Sequence, residues 1–444
     1  ARESWWGAAP ASWMGGMIRN SERHPSRRAL LALGGAGALS AAAVPLAAGA
    51  AAAATSRTTD AAPSRTAAPA ASRTAAPAAS RAAAAAAPPA PGSALLVDSP
   101  RLDLNSPAEN WIREKATKDL TIIQSFGYDN ANGHLYLLQV TPGGLRLDGE
   151  SAPVSAVDRS VHGDLTLTKW DLSGEVLGHM YLRGFGHGMN IGVEPVGGSA
   201  YLWTEVDAVP LHAAPPNENS SRGTRLARFP FTDGKVLDST DPGLTKHTPV
   251  PGSTTNTATV DPVYGRLAVR YVDKDGRTKY QVHDLDLARL GIWSTPLATI
   301  DEPKPHAVPG WPLSTYGTPY FQGYAVVGRY LYMLHGNAYG DTQEINGETV
   351  VISRPGVGNT FLSAVDLTTG AFAPAPRSPF NAHVNPCYTA AANSLIHREP
   401  EGLGVRVPDP ARPGVFSIGI GFAGGEKGER TATIYGKSGL IAPS

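Results

Sequence analysis

Residues 179–207 read HMYLRGFGHGMNIGVEPVGGSAYLWTEVD. They hold one full cycle of a pattern that recurs through the last 350 or so residues. An approach ends in a Gly/His kink, Gly184–Gly188. A short strand is expected over Met189–Val193, a turn over Glu194–Ser199 and a stronger strand over Ala200–Val206. The aromatic and β-branched residues of the last segment suit a pleated, half-buried surface. His187 lies between two glycines, so backbone or a ligand can come close to it. Arg183 stands four residues before it.

Working outward, the strong strand has four counterparts. The five are His134–Val140, Ala200–Val206, Arg266–Val272, Tyr330–Gly336 and Val415–Gly421. Their starts lie 66, 66, 64 and 85 residues apart. Each is preceded by a turn and a weaker strand. Each is followed by a third: Asp164–Leu172, Thr224–Phe231, Thr278–Leu287, Thr360–Leu367 and Thr431–Tyr435. No such unit can bury both faces alone. Stacking five in a circle buries them without long open edges. The fold class is therefore all-β, a five-bladed β-propeller over residues 93–444. A pair of β-sandwiches explains the alternation but not the spacing. Pro107–Thr117 (PAENWIREKAT) is the best helix candidate.

The 444 residues are not uniform in composition. Up to about Gly92, Ala, Pro, Ser, Thr and Arg dominate. Ser26-Arg27-Arg28 followed by an Ala/Gly-rich apolar run reads as a twin-arginine export signal over 1–54. Residues 1–16 read as non-native, with Met17 as the start. The alternative is a membrane anchor, but Pro45 breaks the weakly apolar run. Residues 55–92 repeat Ser-Arg-Thr-Ala-Ala-Pro-Ala-Ala and read as a disordered spacer. A secreted or wall-associated protein exported by the Tat pathway is expected. It would be a monomer, with no stable membrane insertion after cleavage. Net charge is zero, so no broad field favours nucleic acid. Cys387 is the single cysteine, which excludes an internal disulfide and a multi-thiolate zinc site.

The quoted segments resemble a known family. Gln124–Asp129 (QSFGYD), Gly163–Leu172, Met180–Val193, Tyr201–Asp207, Ala268–Tyr271 (AVRY) and Arg398–Leu403 (REPEGL) carry the likeness. They resemble the propeller domain of teichoic acid biosynthesis protein C and of phage receptor-binding or baseplate proteins. The resemblance implies five blades, in agreement with the count above. It also implies recognition of a cell-wall glycopolymer. The insertion Val209–Ser221, the export signal and the spacer depart from the family pattern.

Innermost strands of a propeller line its axis, and loops at one mouth form the usual site. Turn alignment puts Gln124, Met189, Asn256 and Tyr320 at equivalent positions, with Arg398, Glu399 and Glu401 approaching the fifth. His187 and Arg183 fall near the same rim. Such a set can hydrogen-bond hydroxyls and hold an anion. It can equally fasten blades together. Glu205 and Asp207 could serve as an acid pair or cap a turn. Trp203, Tyr271, Tyr339 and Trp311 could stack on sugars or fill the core, and Arg270 lies beside Tyr271. No P-loop, Gly-x-Ser-x-Gly elbow or His-Glu-x-x-His pair appears. No cofactor or metal is expected. The leading expectation is an exported binder of a teichoic-acid-like or other anionic wall polysaccharide. The alternatives are a polysaccharide-cleaving enzyme, either a lyase or a glycan or phosphodiester hydrolase, and a protein-interaction scaffold using the insertion.

Overall fold

The structure, a computed structural model, describes residues 99–211, 220–303, 319–354, 360–373, 383–384 and 394–443. The export signal, the spacer, most of the Val209–Ser221 insertion, Trp311 and Cys387 lie outside them.

Two short strands open the described chain, β1 (Arg101–Leu102) and β2 (Glu109–Lys115). The first blade holds β3 (Ile123–Asp129), β4 (His134–Val140), helix α1 (Ala156–His162), β5 (Leu165–Asp171) and β6 (Val176–Arg183). The second holds β7 (Gly192–Val196), β8 (Ser199–Pro210) and β9 (Ser221–Pro230). The chain then lends β10 (Val236–Asp238) to the first blade, parallel to β6, and returns as β11 (Thr245–His247). The third comprises β12 (Thr254–Asp261), β13 (Arg266–Val272), β14 (Thr278–Asp284), helix α2 (Leu285–Arg289) and β15 (Ala298–Asp301). The fourth comprises β16 (Tyr320–Val327), β17 (Tyr330–Gly336), an appended hairpin β18 (Thr342–Ile345) and β19 (Glu348–Val351), then β20 (Phe361–Asp366), β21 (Ala371–Phe372) and β22 (His383–Val384). The fifth comprises β23 (Glu399–Arg406), β24 (Ser417–Gly424) and β25 (Thr431–Lys437), and β26 (Leu440–Ile441) follows to pair with β1. The five innermost strands β3, β7, β12, β16 and β23 neighbour one another in a closed ring.

Burial of both faces explains why each central strand is mostly apolar. Leu135 and Leu137 of β4 face the fifth blade, in a cluster with Ala423, Ala432 and Ile434. Tyr136 and Leu138 point the other way, into a cluster with Val193 and Leu202 of the second blade. The remaining clusters fill the other three blade junctions. Each sheet is thus buried on both faces, and each fully buried Leu contributes roughly 1.5–3 kcal/mol.

The ring is closed by the segment expected to be helical. Residues 109–115 form β2, which pairs antiparallel with β25 as the outermost strand of the fifth blade. Its polar composition suits an edge, and pairing with a distant strand overrides local helix preference. Lys437 secures the closure. Its buried ammonium donates to the carbonyls of Leu104 (3.1 Å) and Ser106. Burial lowers its pKa to about 8. The unfolded chain therefore keeps the proton over a pH range where the fold has lost it, so stability rises from about pH 8 toward 10.5. The melting temperature of the wild-type chain should gain on that of Lys437→Met over this range. Parallel curves would exclude the clasp.

The quoted cycle also differs in detail. Glu194, Pro195 and Val196 belong to β7, and the turn is only Gly197–Gly198. Pro195 is tolerated because the innermost strand is an edge. Met189 precedes the strand instead of opening it.

The two ends of the ring differ in their connections. Starts of the innermost strands lie at one end. The strand ends flanking segments 141–164, 184–191, 211–220, 302–319, 337–360 and 373–398 lie at that end too. The opposite end carries tight turns such as 130–133, 197–198, 262–265 and 328–329, with 407–416 the longest of its innermost hairpins.

Candidate functional site

Four innermost strands carry a β-bulge near their start, at the end bearing the long connections. Each inserts a residue into the ladder and re-aims its side chain. Gln124, Asn256 and Glu401 fall within these bulges. In the fourth blade the bulged residue is Gln322, between Phe321 and Gly323. Tyr320 lies two residues earlier, paired with Gly336, so turn alignment placed it at the wrong level. Register becomes visible only once the partner strand is known.

Below the bulges the axis is sealed. The Asn190 amide donates to the carbonyl of Tyr324 (3.0 Å) and accepts from the Tyr324 N–H (3.3 Å), joining the second blade to the fourth. Ser125 Oγ donates to the Gly188 carbonyl at 2.6 Å. A Cβ on Gly323 would lie 2.9 Å from Gly402 Cα, and one on Gly402 would lie 2.8 Å from Ser125 Cα. The mouth is therefore a basin with a floor.

Around it the expected residues occupy three stations. At the first, Glu205 is fully buried and organises the Gly184–Gly188 kink. Its Oε1 accepts backbone N–H bonds from His187 (3.0 Å), Gly188 (2.7 Å) and Met189 (3.4 Å). Its Oε2 accepts from Gly223 at 2.6 Å. Burial raises its pKa, while Arg222 and these N–H groups pull the other way. His187 is 6% exposed, with Nδ1 3.2 Å from Ser220 Oγ, which also accepts from Arg222 at 2.7 Å. Burial, aided by Arg222, holds the imidazole neutral. Arg183 leaves this group and pairs with Asp238 at 2.9 Å. Asp207 pairs with Lys246 and Arg225.

A neutral, buried His187 has a packing and hydrogen-bonding role here. His187→Ala should therefore lower stability by about 1–3 kcal/mol, the usual cost of stranding a buried polar partner. An unchanged melting temperature with lost ligand binding would restore it to an exposed rim.

At the second station Arg270 is clamped bidentately by Glu302 (2.6 and 3.0 Å) and lies 4.0 Å from the centre of the Phe321 ring. Tyr280 donates to the same carboxylate at 2.7 Å. Asn256 is used up nearby, donating to the Thr224 carbonyl at 2.9 Å and accepting from Ser253 at 3.1 Å. Tyr271 and Trp203 are buried in the junction of the second and third blades. Trp203 stacks on His247 and donates to Glu194 at 2.8 Å, so neither face of its ring is open to a sugar.

At the third station the fifth blade begins with two left-handed residues, His397 and Arg398, at φ 66° and 44°. Arg398 is fully buried between the Tyr339 and Phe422 rings and donates to Thr360 Oγ1 at 2.9 Å. Its Nε and Nη1 have no hydrogen-bond partner among the described residues. Burial brings its pKa down to about 10. Glu399, Glu401 and Asp341 lie within reach of one another's charges, with His397 Nε2 3.0 Å from Glu399 Oε2. Burial, then the charge of Glu399, raises the Asp341 carboxyl to about 6. Burial, then Glu399 and Asp341, pushes Glu401 well above the usual range.

The mouth thus unites Glu205 with His187, and Glu399 with Glu401, but keeps His187 and Arg398 at different blade junctions. Asp341, Arg222, Gln322 and Glu302 escaped the sequence reading. The match between QGYA at 322–325 and QSFGY at 124–128 could have flagged Gln322.

A family model, the phage 5-bladed beta propeller receptor binding platform domain, matches residues 122–347. The putative major teichoic acid biosynthesis protein C of Bacillus subtilis (strain 168) is 27% identical over 325 residues, covering 72% of this chain and 60% of its own length. The tail fiber of Staphylococcus aureus phage P68 superposes with a TM-score of 0.51 at 18% identity, over 76% of this chain and 53% of the fiber. The chain therefore spans somewhat more than half the length of either protein. A thermostable family-43 glycoside hydrolase reaches a TM-score of only 0.35 at 11% identity, over 74% of this chain and 96% of the hydrolase.

Proposed function

The chain belongs to the phage five-bladed β-propeller receptor-binding platform family, and from that premise we propose that its mouth binds a cell-surface glycan. The observation that carries the reading is the one-sided placement of the long connections. The strand ends joined by segments 141–164, 302–319, 337–360 and 373–398 all lie on the side of the basin. Loops raised on a rigid scaffold are where binding residues concentrate. Gln124, Tyr320 and Glu399 are partly exposed there and can hydrogen-bond hydroxyls. The name of the Bacillus subtilis relative favours a teichoic-acid-like polymer as the finer assignment.

The setting is extracellular or at the cell surface. Among the described residues no helix is long and apolar enough to cross a membrane. The Arg27-Arg28 segment supports Tat-dependent export to that setting.

Sedimentation with purified cell walls, before and after teichoic-acid extraction, tests the reading. Retention on intact walls and loss after extraction is expected. Equal retention on both removes the teichoic-acid assignment and keeps the glycan. No retention on either removes wall-glycan binding.

A further inference from the structure

We propose that the connection leaving α2, residues 290–297, is an acid-released latch on the junction of the second and third blades. It leaves the end of the ring opposite the basin, where Asp284 at the end of β14 pairs with Arg266 at the start of β13. It does not depend on the glycan reading. Its pin is Trp293, which packs against the apolar cluster of that junction.

Two imidazoles hold the pin. The Trp293 ring packs edge-to-face with His247 of β11 and with His283 of β14, at centroid distances of 5.4 and 5.0 Å. His247 is itself stacked on Trp203 of β8 at 5.1 Å. A Cβ on Gly291 would stand 3.8 Å from His247 Nδ1, so the connection lies directly against that ring. Leu290 is 74% exposed and Ile292 43%, so the residues beside the pin bury little of their own surface. A second fastening comes from α2, where Arg289 Nε donates to Glu194 of β7 at 2.8 Å.

Both imidazoles are buried, and the Nε2 of each has no hydrogen-bond partner among the described residues. A neutral ring carries one N–H and a protonated ring two, so protonation adds a charge and a buried donor with nothing to accept it. The surroundings offer no counter-charge. Arg228 and Arg225 of β9 repel a charge on His247, and no charged group acts on His283. Across their ladders the two histidines face Leu226 and Leu267. Glu194 is taken up by Trp203, Arg228 and Arg289, Asp286 pairs with Arg289, and Asp284 caps α2. Aromatic faces attract a cation, but they give the buried Nε2–H no acceptor.

Burial, reinforced by Arg228 and Arg225, lowers the His247 pKa to about 4, and burial alone lowers that of His283 to about 4. Once the latch opens, both rings return toward their ordinary 6.5 and take up protons that the closed form refuses. The closed form is therefore fully favoured above about pH 6.5 and loses ground as the pH falls toward 4. Two protons taken up per opening raise the opening constant on the order of a hundredfold between about pH 6.5 and 5.

Hydrogen–deuterium exchange of the full chain reads the opening directly. The amides of 285–297 are followed by mass spectrometry where closing outpaces exchange, and corrected for the intrinsic pH dependence of exchange. Their opening constant should rise on the order of a hundredfold between about pH 6.5 and 5, while that of β24 in the fifth blade stays level. His247→Phe and His283→Phe keep a ring against Trp293 and remove the titrating group. Each should cut the rise to about tenfold, and the double variant should abolish it. A wild-type constant that stays level over this range overturns the latch without recourse to any variant. An equal rise in β24 marks acid unfolding of the whole ring and also overturns it. So does a rise that the folded double variant retains.

Discussion

Glu205→Ala is expected to leave little folded protein. One carboxylate satisfies the backbone N–H groups of His187, Gly188, Met189 and Gly223, all buried. Each donor stranded by the truncation costs about 1–3 kcal/mol. Whole domains of this kind are stable by only about 5–15 kcal/mol. The kink cannot easily refill the space, because Gly186 sits at φ 149° directly against the carboxyl, 2.3 Å from where a Cβ would stand. Glu205→Gln should be milder. It keeps one acceptor and turns an amide N–H toward that of Gly223. Soluble yield and the denaturant midpoint measure the difference. A Glu205→Ala protein with a wild-type midpoint would show that water replaces the carboxylate and that the kink is not built on it.

Gly402→Ala should be nearly as severe and for a different reason. Gly402 has φ 82°, and an added Cβ would lie 2.8 Å from the Cα of Ser125 on the neighbouring innermost strand. Backbone strain of about 1–3 kcal/mol adds to an overpacking cost of about 1–3 kcal/mol. Neighbouring backbone cannot swing aside as a flexible side chain can. Gly197→Ala is the control. It has φ 60° but nothing within 4 Å, so only the strain applies. The melting temperature should drop far more for Gly402→Ala. Equal drops would mean that the blades slide apart without cost and that the floor is not close-packed.

The parts that could be read from sequence were those with a local cause. Alternation and spacing located three of the five central strands to the residue, because both faces of each are buried, and found the start of the second within one residue while missing its last four, Asp207–Pro210. The fifth was placed two residues early, at Val415 instead of Ser417, since 407–416 has no counterpart in the other blades. The helix expected at 107–117 failed because its fate is set by β25, more than 300 residues away in sequence. Site residues divide in the same way. His187 is marked by the glycine kink and Glu205 by its pairing with Asp207, yet the kink is held by the Glu205 carboxylate on β8, which no local pattern reveals. Asp341 carried no signal of its own and comes within reach of the charges of Glu399 and Glu401 only when the fourth and fifth blades meet. Matching Gly127-Tyr128 to Gly323-Tyr324 set the two strands two residues out of step, which is why Gln322 and not Tyr320 is the counterpart of Gln124 in the paired registers.

The closure strand has a mechanical consequence. Ser99 Oγ receives the Arg329 N–H at 3.0 Å, at the tight turn 328–329 on the face opposite the mouth. The polypeptide thus enters the ring on the side away from the ligand. A pull between a ligand held in the mouth and an anchor on the N-terminal side runs across the disc and into β2. That strand lies antiparallel to β25 with bulges at Asn110–Ile112 and Ile112–Lys115, so its ladder is interrupted twice. The load would fall first on the Ser99–Arg329 contact and the two-residue β1–β26 pairing, then on the Lys437 contacts to Leu104 and Ser106, ahead of the β2 ladder. Under tension the fifth blade acts as the fuse of the molecule, and the other four are shielded until it opens.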